Sequence, residues 1–168
     1  MNVDITLFES PSDTGGSGSI DYLRHSRYWI GQGLLHLSVM RVEEALTALN
    51  RALAFTPSSA AGLRCEIFVG LMTAKRRRGD YNGALADGLL AYDERVTQQT
   101  VLGVPPSAAR LARLPLIRSI LACCEFASHT ETSEFALREA ALRQELDDAD
   151  TFRRLRALSL DALDIGTE

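Results

Sequence analysis

An all-α chain of helical hairpins is the fold class this sequence predicts, and three observations predict it. The first is spacing. Trp29, Ile30, Gly33, Leu34, Leu37 and Met40 recur at steps of one, three and four, as do Val42, Ala45, Leu46, Leu49, Ala52 and Leu53. Each set lies on one face of a helix. The second is repetition. A looser copy of the pair follows over Glu66–Val96, where Ala84 and Ala91 are seven residues apart, as Ala45 and Ala52 are. The third is punctuation. Pro57, Gly79-Asp80 and the run from Gly103 to Pro106 fall between the periodic stretches, where helices have to end.

Residues 1–19 are expected to form a flexible arm or linker. Val3, Ile5 and Leu7 alternate weakly, and the run from Pro11 to Ser19 has little to bury and many backbone states to lose. A single helical domain is expected over 20–168. Helix 1 runs from the residue after Ser19, a capping residue, to about Met40, with Asp21 in its first turn. Helix 2 spans Val42 to about Phe55 and stops because Pro57 lacks an N–H and disfavours helix at Thr56. Gly33, Ala45 and Ala52 are small residues on the facing sides, which lets two backbones approach at the short end of the usual ~8–10 Å. Trp29 fills the space beside them.

Helix 3 is expected over Ser59–Arg78, burying Leu63, Ile67, Phe68, Leu71 and Met72, and Gly79 closes it. Helix 4 starts near Tyr81 and reaches Gln99. Ser107 caps helix 5, whose stripe is Leu111, Leu114, Ile117, Leu121 and Cys124, and Pro115 kinks or restarts it. A turn at Ser128–Thr130 follows. Helix 6 is expected over Ser133–Leu146, with Thr132 or Ser133 as its cap. The acidic run Asp147–Asp150 then separates it from helix 7, Asp150–Leu163, with Phe152, Leu155, Leu158 and Ala162 as its stripe. That last amphipathic helix suits the end of a stack, which would otherwise expose core.

Trp29, Gly33, Ala45, Ala52 and Pro57 stand four, twelve, seven and five residues apart. This spacing resembles the tetratricopeptide repeat (TPR) signature, with Gln32 and His36 where that signature has Leu and Tyr. The second copy resembles it through Gly79-Asp80-Tyr81, Ala84 and Ala91, with Gly88 where a large apolar residue is usual. The resemblance implies about three TPR-like repeats with a C-terminal capping helix. A second resemblance lies in Leu71-Met72, Arg78-Gly79-Asp80-Tyr81, Ala84-Leu85, Leu102-Gly103-Val104 and Pro106-Ser107. That set looks like the TPR-like bacterial transcriptional activator domain and implies a bacterial source.

For function, the TPR resemblance implies a non-catalytic module that binds a partner protein segment in a groove lined by the first helix of each repeat. Matching repeat positions places Arg27, Ile30, Leu34, Leu37 and Arg41 of helix 1 on that wall, with Val69, Thr73, Arg76 and Arg77 of helix 3. Glu66 joins them, and Arg110, Arg113 and Arg118 lie nearby if helix 5 follows suit. Repeated arginines there suit an acidic peptide. A secretion-system-type chaperone and a regulatory or oligomerisation module of a transcriptional regulator are the alternatives, and a homodimer is a further possibility for the partner.

Charge supports the same direction. Net charge is −4, divided as −3 over residues 1–19, +4 over 20–130 and −5 over 131–168. A mildly basic body with acidic ends is short of the strongly basic face that direct nucleic-acid binding needs. No apolar run approaches the ~20 residues of a membrane span, and no basic start followed by an apolar block leads the chain. Three cysteines, two of them adjacent, fit reduced thiols, so a cytoplasmic protein is expected. His25 and His36 are eleven residues apart, too far for a metal pair on one helix, and no spaced Cys/His cluster exists. The sequence holds no phosphate loop or nucleophile elbow. No metal, no cofactor and no enzymatic activity are therefore expected.

Overall fold

The computed structural model describes residues 18–127 and 133–164. Six helices and no strand occur among the described residues: α1 Gly18–Ser38, α2 Val42–Phe55, α3 Ala61–Arg78, α4 Tyr81–Val101, α5 Pro106–Cys124 and α6 Ser133–Asp164. Residues 1–17 of the arm expected over 1–19, the turn at Ser128–Thr130 and the cap at Thr132 lie outside the described residues. So do the side chains of Phe152, Leu155, Leu158 and Ala162.

Each helix packs on the next, and α1 also touches α3. Short connections force this arrangement. Two or three residues join α1 to α2 and α3 to α4, so each pair folds back on itself as an αα-hairpin. The ends of three helices share one device. In each, an N–H bonds back three residues and the next N–H bonds back five, around a residue with left-handed backbone. At α3 that residue is Gly79 (φ 83), and at α4 it is Gly103 (φ 63). At α1 it is Met40 (φ 61), whose N–H reaches the Leu37 carbonyl while Arg41 N–H reaches His36. Asp80 then starts α4 by accepting the Gly83 N–H at 2.9 Å, and that bond holds its carboxyl below the usual carboxylate range.

The core forms around one side chain. Leu49 of α2 is fully buried between Gly33 of α1 and Gly70 of α3. A Cβ added at Gly33 would stand 2.6 Å from Leu49 Cγ, and one at Gly70 would stand 3.0 Å from Leu49 Cδ1. Both glycines therefore act as sockets. Ile30, Leu37, Ala45, Leu46, Ala52, Phe68 and Leu71 join it in this first cluster. A second cluster joins Met72, Ala84, Leu85, Ile117, Ile120, Leu121 and Leu142. There Gly88 is the socket, and an added Cβ would lie 2.9 Å from both Ile120 Cγ1 and Met72 Sδ. The small residue at 88, out of pattern in the sequence, is explained by the size of those two neighbours.

Polar contacts tie the hairpins together. The Thr56 hydroxyl lies 3.0 Å from the Ser26 hydroxyl, which donates to the Tyr22 carbonyl, so both buried groups are satisfied. Between α3 and α4, Arg64 meets Glu94 at 2.5 Å and Lys75 meets Asp87 at 2.8 Å. Burial raises the Asp87 carboxyl pKa against the opposing pull of Lys75.

Several expectations need correction, beginning with helix 3, which starts at Ala61 and not Ser59, and helix 4, which ends at Val101 and not Gln99. The run Asp147–Asp150 does not divide two helices, since α6 is continuous for 32 residues. The run has no Gly or Pro to break a helix, Ala149 is buried, and Asp150 pairs with Arg118 at 3.2 Å. Helix 5 starts at Pro106, which needs no partner for its missing N–H, and Ser107 lies inside the first turn. Pro115 does not restart that helix; it stands on the exposed side of a continuous α5. Helix 1 starts at Gly18 and ends at Ser38, so Ser19 lies within it and Met40 lies in the turn.

Gly33→Ala is expected to destabilise the chain by about 1–3 kcal/mol, because overpacking against Leu49 outweighs the usual helix preference for Ala. Urea denaturation measures this, and a stabilised variant would contradict the socket. Met40→Gly is expected to stabilise by about 0.5–1 kcal/mol in the same assay, since a left-handed side-chain residue costs more than glycine's entropy.

Candidate partner-binding groove

The chain places α1 and α3 side by side. Gly33 and Gly70 flank the same leucine, and the Arg77 guanidinium donates to the Leu37 carbonyl at the end of α1. Both contacts run in the same sense, since Gly33 precedes Leu37 in α1 as Gly70 precedes Arg77 in α3, so the two helices point the same way.

The nine residues expected on this wall divide into three groups. Ile30 and Leu37, 5% and 6% exposed, are core residues packed with Leu46, Leu49 and Phe68. Their apolar surface already faces α2 and α3 and is not on an open wall. Arg77 and Arg41 have work at the turn. Arg77 caps the α1 terminus, where a cation favours the helix dipole, and Arg41 supplies backbone bonds to His36 and Ala45 that join α1 to α2. The remaining five lie on the parallel faces. Arg27 and Leu34 of α1 are exposed, Val69 and Thr73 of α3 are half-buried, and Arg76 is exposed. The Thr73 hydroxyl donates to the Val69 carbonyl at 2.8 Å. Arg76 approaches α5 closely enough that its charge opposes the rise that burial gives the Cys123 thiol pKa.

Helix α5 does not continue the row of arginines. Arg113 turns to Glu145 of α6 at 2.6 Å and Arg118 turns to Asp150 at 3.2 Å. Arg113 belongs to a polar cluster that sequence reasoning missed. Its guanidinium lies 5.6 Å from the Tyr92 ring centroid and bonds the Gln99 side chain at 2.7 Å, while Tyr92 donates to Glu145 and Gln99 donates to the Ala109 carbonyl. The members come from α4, α5 and α6, at separations of 10 to 53 residues. No local pattern signals such pairs. Arg138 of α6 reaches Asp93 of α4 at 2.5 Å beside them.

A second concavity of about 310 Å³ lies between α1 and α2, lined by Trp29, His36, Glu43, Glu44, Thr47, Ala48 and Arg51. Arg51 sits 4.8 Å from the Trp29 ring centroid, a cation–π contact that holds the indole in place. Among the described residues, no group of His, Cys, Asp or Glu has the arrangement to hold a metal ion. No described helix is long and apolar enough to cross a membrane. Comparison with family models, with curated proteins and with solved structures found no match.

Burial, and then the bond to Glu145, push the Tyr92 phenol up to about 12 from an ordinary 10.0. A raised pKa in the folded chain gives stability that is complete below the unfolded value and is lost as pH rises from there through the folded value. The chain is therefore expected to lose stability between about pH 10 and 12, and Tyr92→Phe to remove that part of the loss while costing about 1–2 kcal/mol at neutral pH. Ultraviolet titration of the four tyrosines measures it. A Tyr92 that ionises with the exposed ones would contradict the cluster.

Proposed function

We propose that this chain is a TPR-like interaction module that captures an acidic, partly apolar segment of another protein across α1 and α3. One observation carries the reading. Two helices in direct contact carry exposed Leu34 and half-buried Val69, with exposed Arg27 and Arg76 on the same two helices. An apolar strip between cations recognises a segment with one hydrophobic anchor and flanking carboxylates. Burial of the anchor supplies affinity, and the guanidinium groups supply orientation and charge selection.

The repeat architecture supports this reading. Ala45, Ala52, Ala84 and Ala91 are fully buried at matching places in the α1–α2 and α3–α4 hairpins, as close-packed repeats require. Helices α5 and α6 form the next pair in this scheme. The chain's three cysteines are buried, and burial raises the pKa of each. Buried, protonated thiols of this kind suit a reducing cytoplasm.

A displayed library of random peptides, selected on the folded chain, tests the proposal. Enriched peptides are expected to carry Asp or Glu beside a large apolar residue. The double variant Arg27→Glu, Arg76→Glu is expected to weaken them by roughly ten- to hundredfold, through loss and reversal of two charge contacts, with an unchanged helical circular dichroism spectrum. Arg77 is left intact because it caps α1. Peptides without acidic residues, or affinity unaltered by the double variant, would reject the groove.

A further inference from the structure

From Tyr28 to Met40, α1 and its turn carry no Lys, Arg, Asp or Glu. An uncharged, mainly apolar stretch of helix is ordinarily well covered, yet α2 and α3 cover only part of this one. Tyr28, Gln32, Leu35 and Val39, at steps of four, three and four, fall in one stripe. The stripe lies away from Ile30 and Leu37, which enter the core, and away from Arg27 and Leu34, which border α3. Tyr28, Leu35 and Val39 are 55%, 56% and 55% exposed, and Gln32 is half-buried. Met40 continues the edge at 66% exposed, on the left-handed backbone where α3 and α4 use glycine. Glycine would relieve the backbone; methionine adds apolar surface instead. The exposed parts of these four apolar side chains amount to on the order of 500 Å², toward the upper end of the largest patch on a typical monomer.

We propose that this edge of α1 pairs with the same edge of a second copy of the chain, antiparallel, about a two-fold axis level with Gly33 and Leu34. Steps of four, three and four alternate the two core positions of a helix–helix seam, and antiparallel packing sets one kind against the other. Tyr28 then meets Val39 of the second copy and Gln32 meets Leu35, and the symmetry repeats both contacts. Self-pairing sets the stripe against an identical stripe, so charges of one sign in it would repel, and the stripe has none. Gly31 flanks the seam with no heavy atom within 4 Å of where a Cβ would stand, so a second backbone has room to approach. An area of this size is below the roughly 800 Å² per partner of a standard interface, so the pair is a weak one that depends on concentration. The groove over Arg27 and Leu34 remains open in it.

Sedimentation velocity of the full chain from nanomolar to near-millimolar concentration tests the pairing. A reversible monomer–dimer equilibrium is expected. Leu35→Glu, which sets a carboxylate in each copy against an apolar seam, is expected to weaken it by roughly a hundredfold, with the helical spectrum retained. Mixing Gln32→Cys chains with Leu35→Cys chains under mild oxidation is expected to give a cross-linked heterodimer, since the native thiols are buried. A chain that stays monomeric throughout overturns the proposal, whether its own residues 1–17 or nothing covers the edge. So does a dimer that Leu35→Glu leaves unchanged, and absence of the cross-link from a dimer overturns the antiparallel register.

Discussion

Leu49 between two glycines is the constraint on which the rest of this structure depends. Close approach of α1, α2 and α3 needs one bulky side chain and two places with none, and Gly33, Leu49 and Gly70 supply them. With that contact in place, α1 and α3 come together side by side and run parallel. Arg77 can then reach the end of α1. The groove follows from the socket. Methyl groups at the two glycines would push the helices apart before any surface residue changed, because close-packed cores transmit small displacements.

The helical class was legible because it rests on local spacing. The stripes of helices 2, 3 and 5, the small residues at 45, 52, 84 and 91, and the stop at Gly79 all depend on residues within a few turns of one another. The groove was legible only in part. Periodicity marks a face without saying whether a neighbour covers it, so Ile30 and Leu37 read the same as Leu34 although they lie inside the core. Arg77 and Arg76 are adjacent in sequence, yet one caps a helix and the other faces outward. The polar cluster around Arg113 was invisible, because its members are brought together only by the packing of α4, α5 and α6. The acidic run at 147–150 resembled a linker because it is polar, and it stays helical because Arg118 and the buried Ala149 hold it.

The charge asymmetry of the chain acquires a different meaning in the fold. A basic body and an acidic C-terminal region read in sequence as a hint about partners. Part of that asymmetry is answered within the molecule. Glu145 and Asp150 of α6 pair with Arg113 and Arg118 of α5, and Arg138 crosses in the opposite sense to Asp93. Those pairs draw arginines of the third hairpin away from the face that α1 and α3 share. The cationic character left on that face is concentrated at Arg27 and Arg76, which makes it a narrow feature with defined ends.

The apolar interior is divided. One cluster is built from α1, α2 and α3 with Ala91 of α4, the other from α4, α5 and α6 with Met72 of α3, and Leu116 packs against both. A boundary of this kind separates cooperative units. The line between them runs through α3, where Leu71 and Met72, two neighbours in one helix, serve different halves, and amide protons of each half are expected to exchange with solvent as a group.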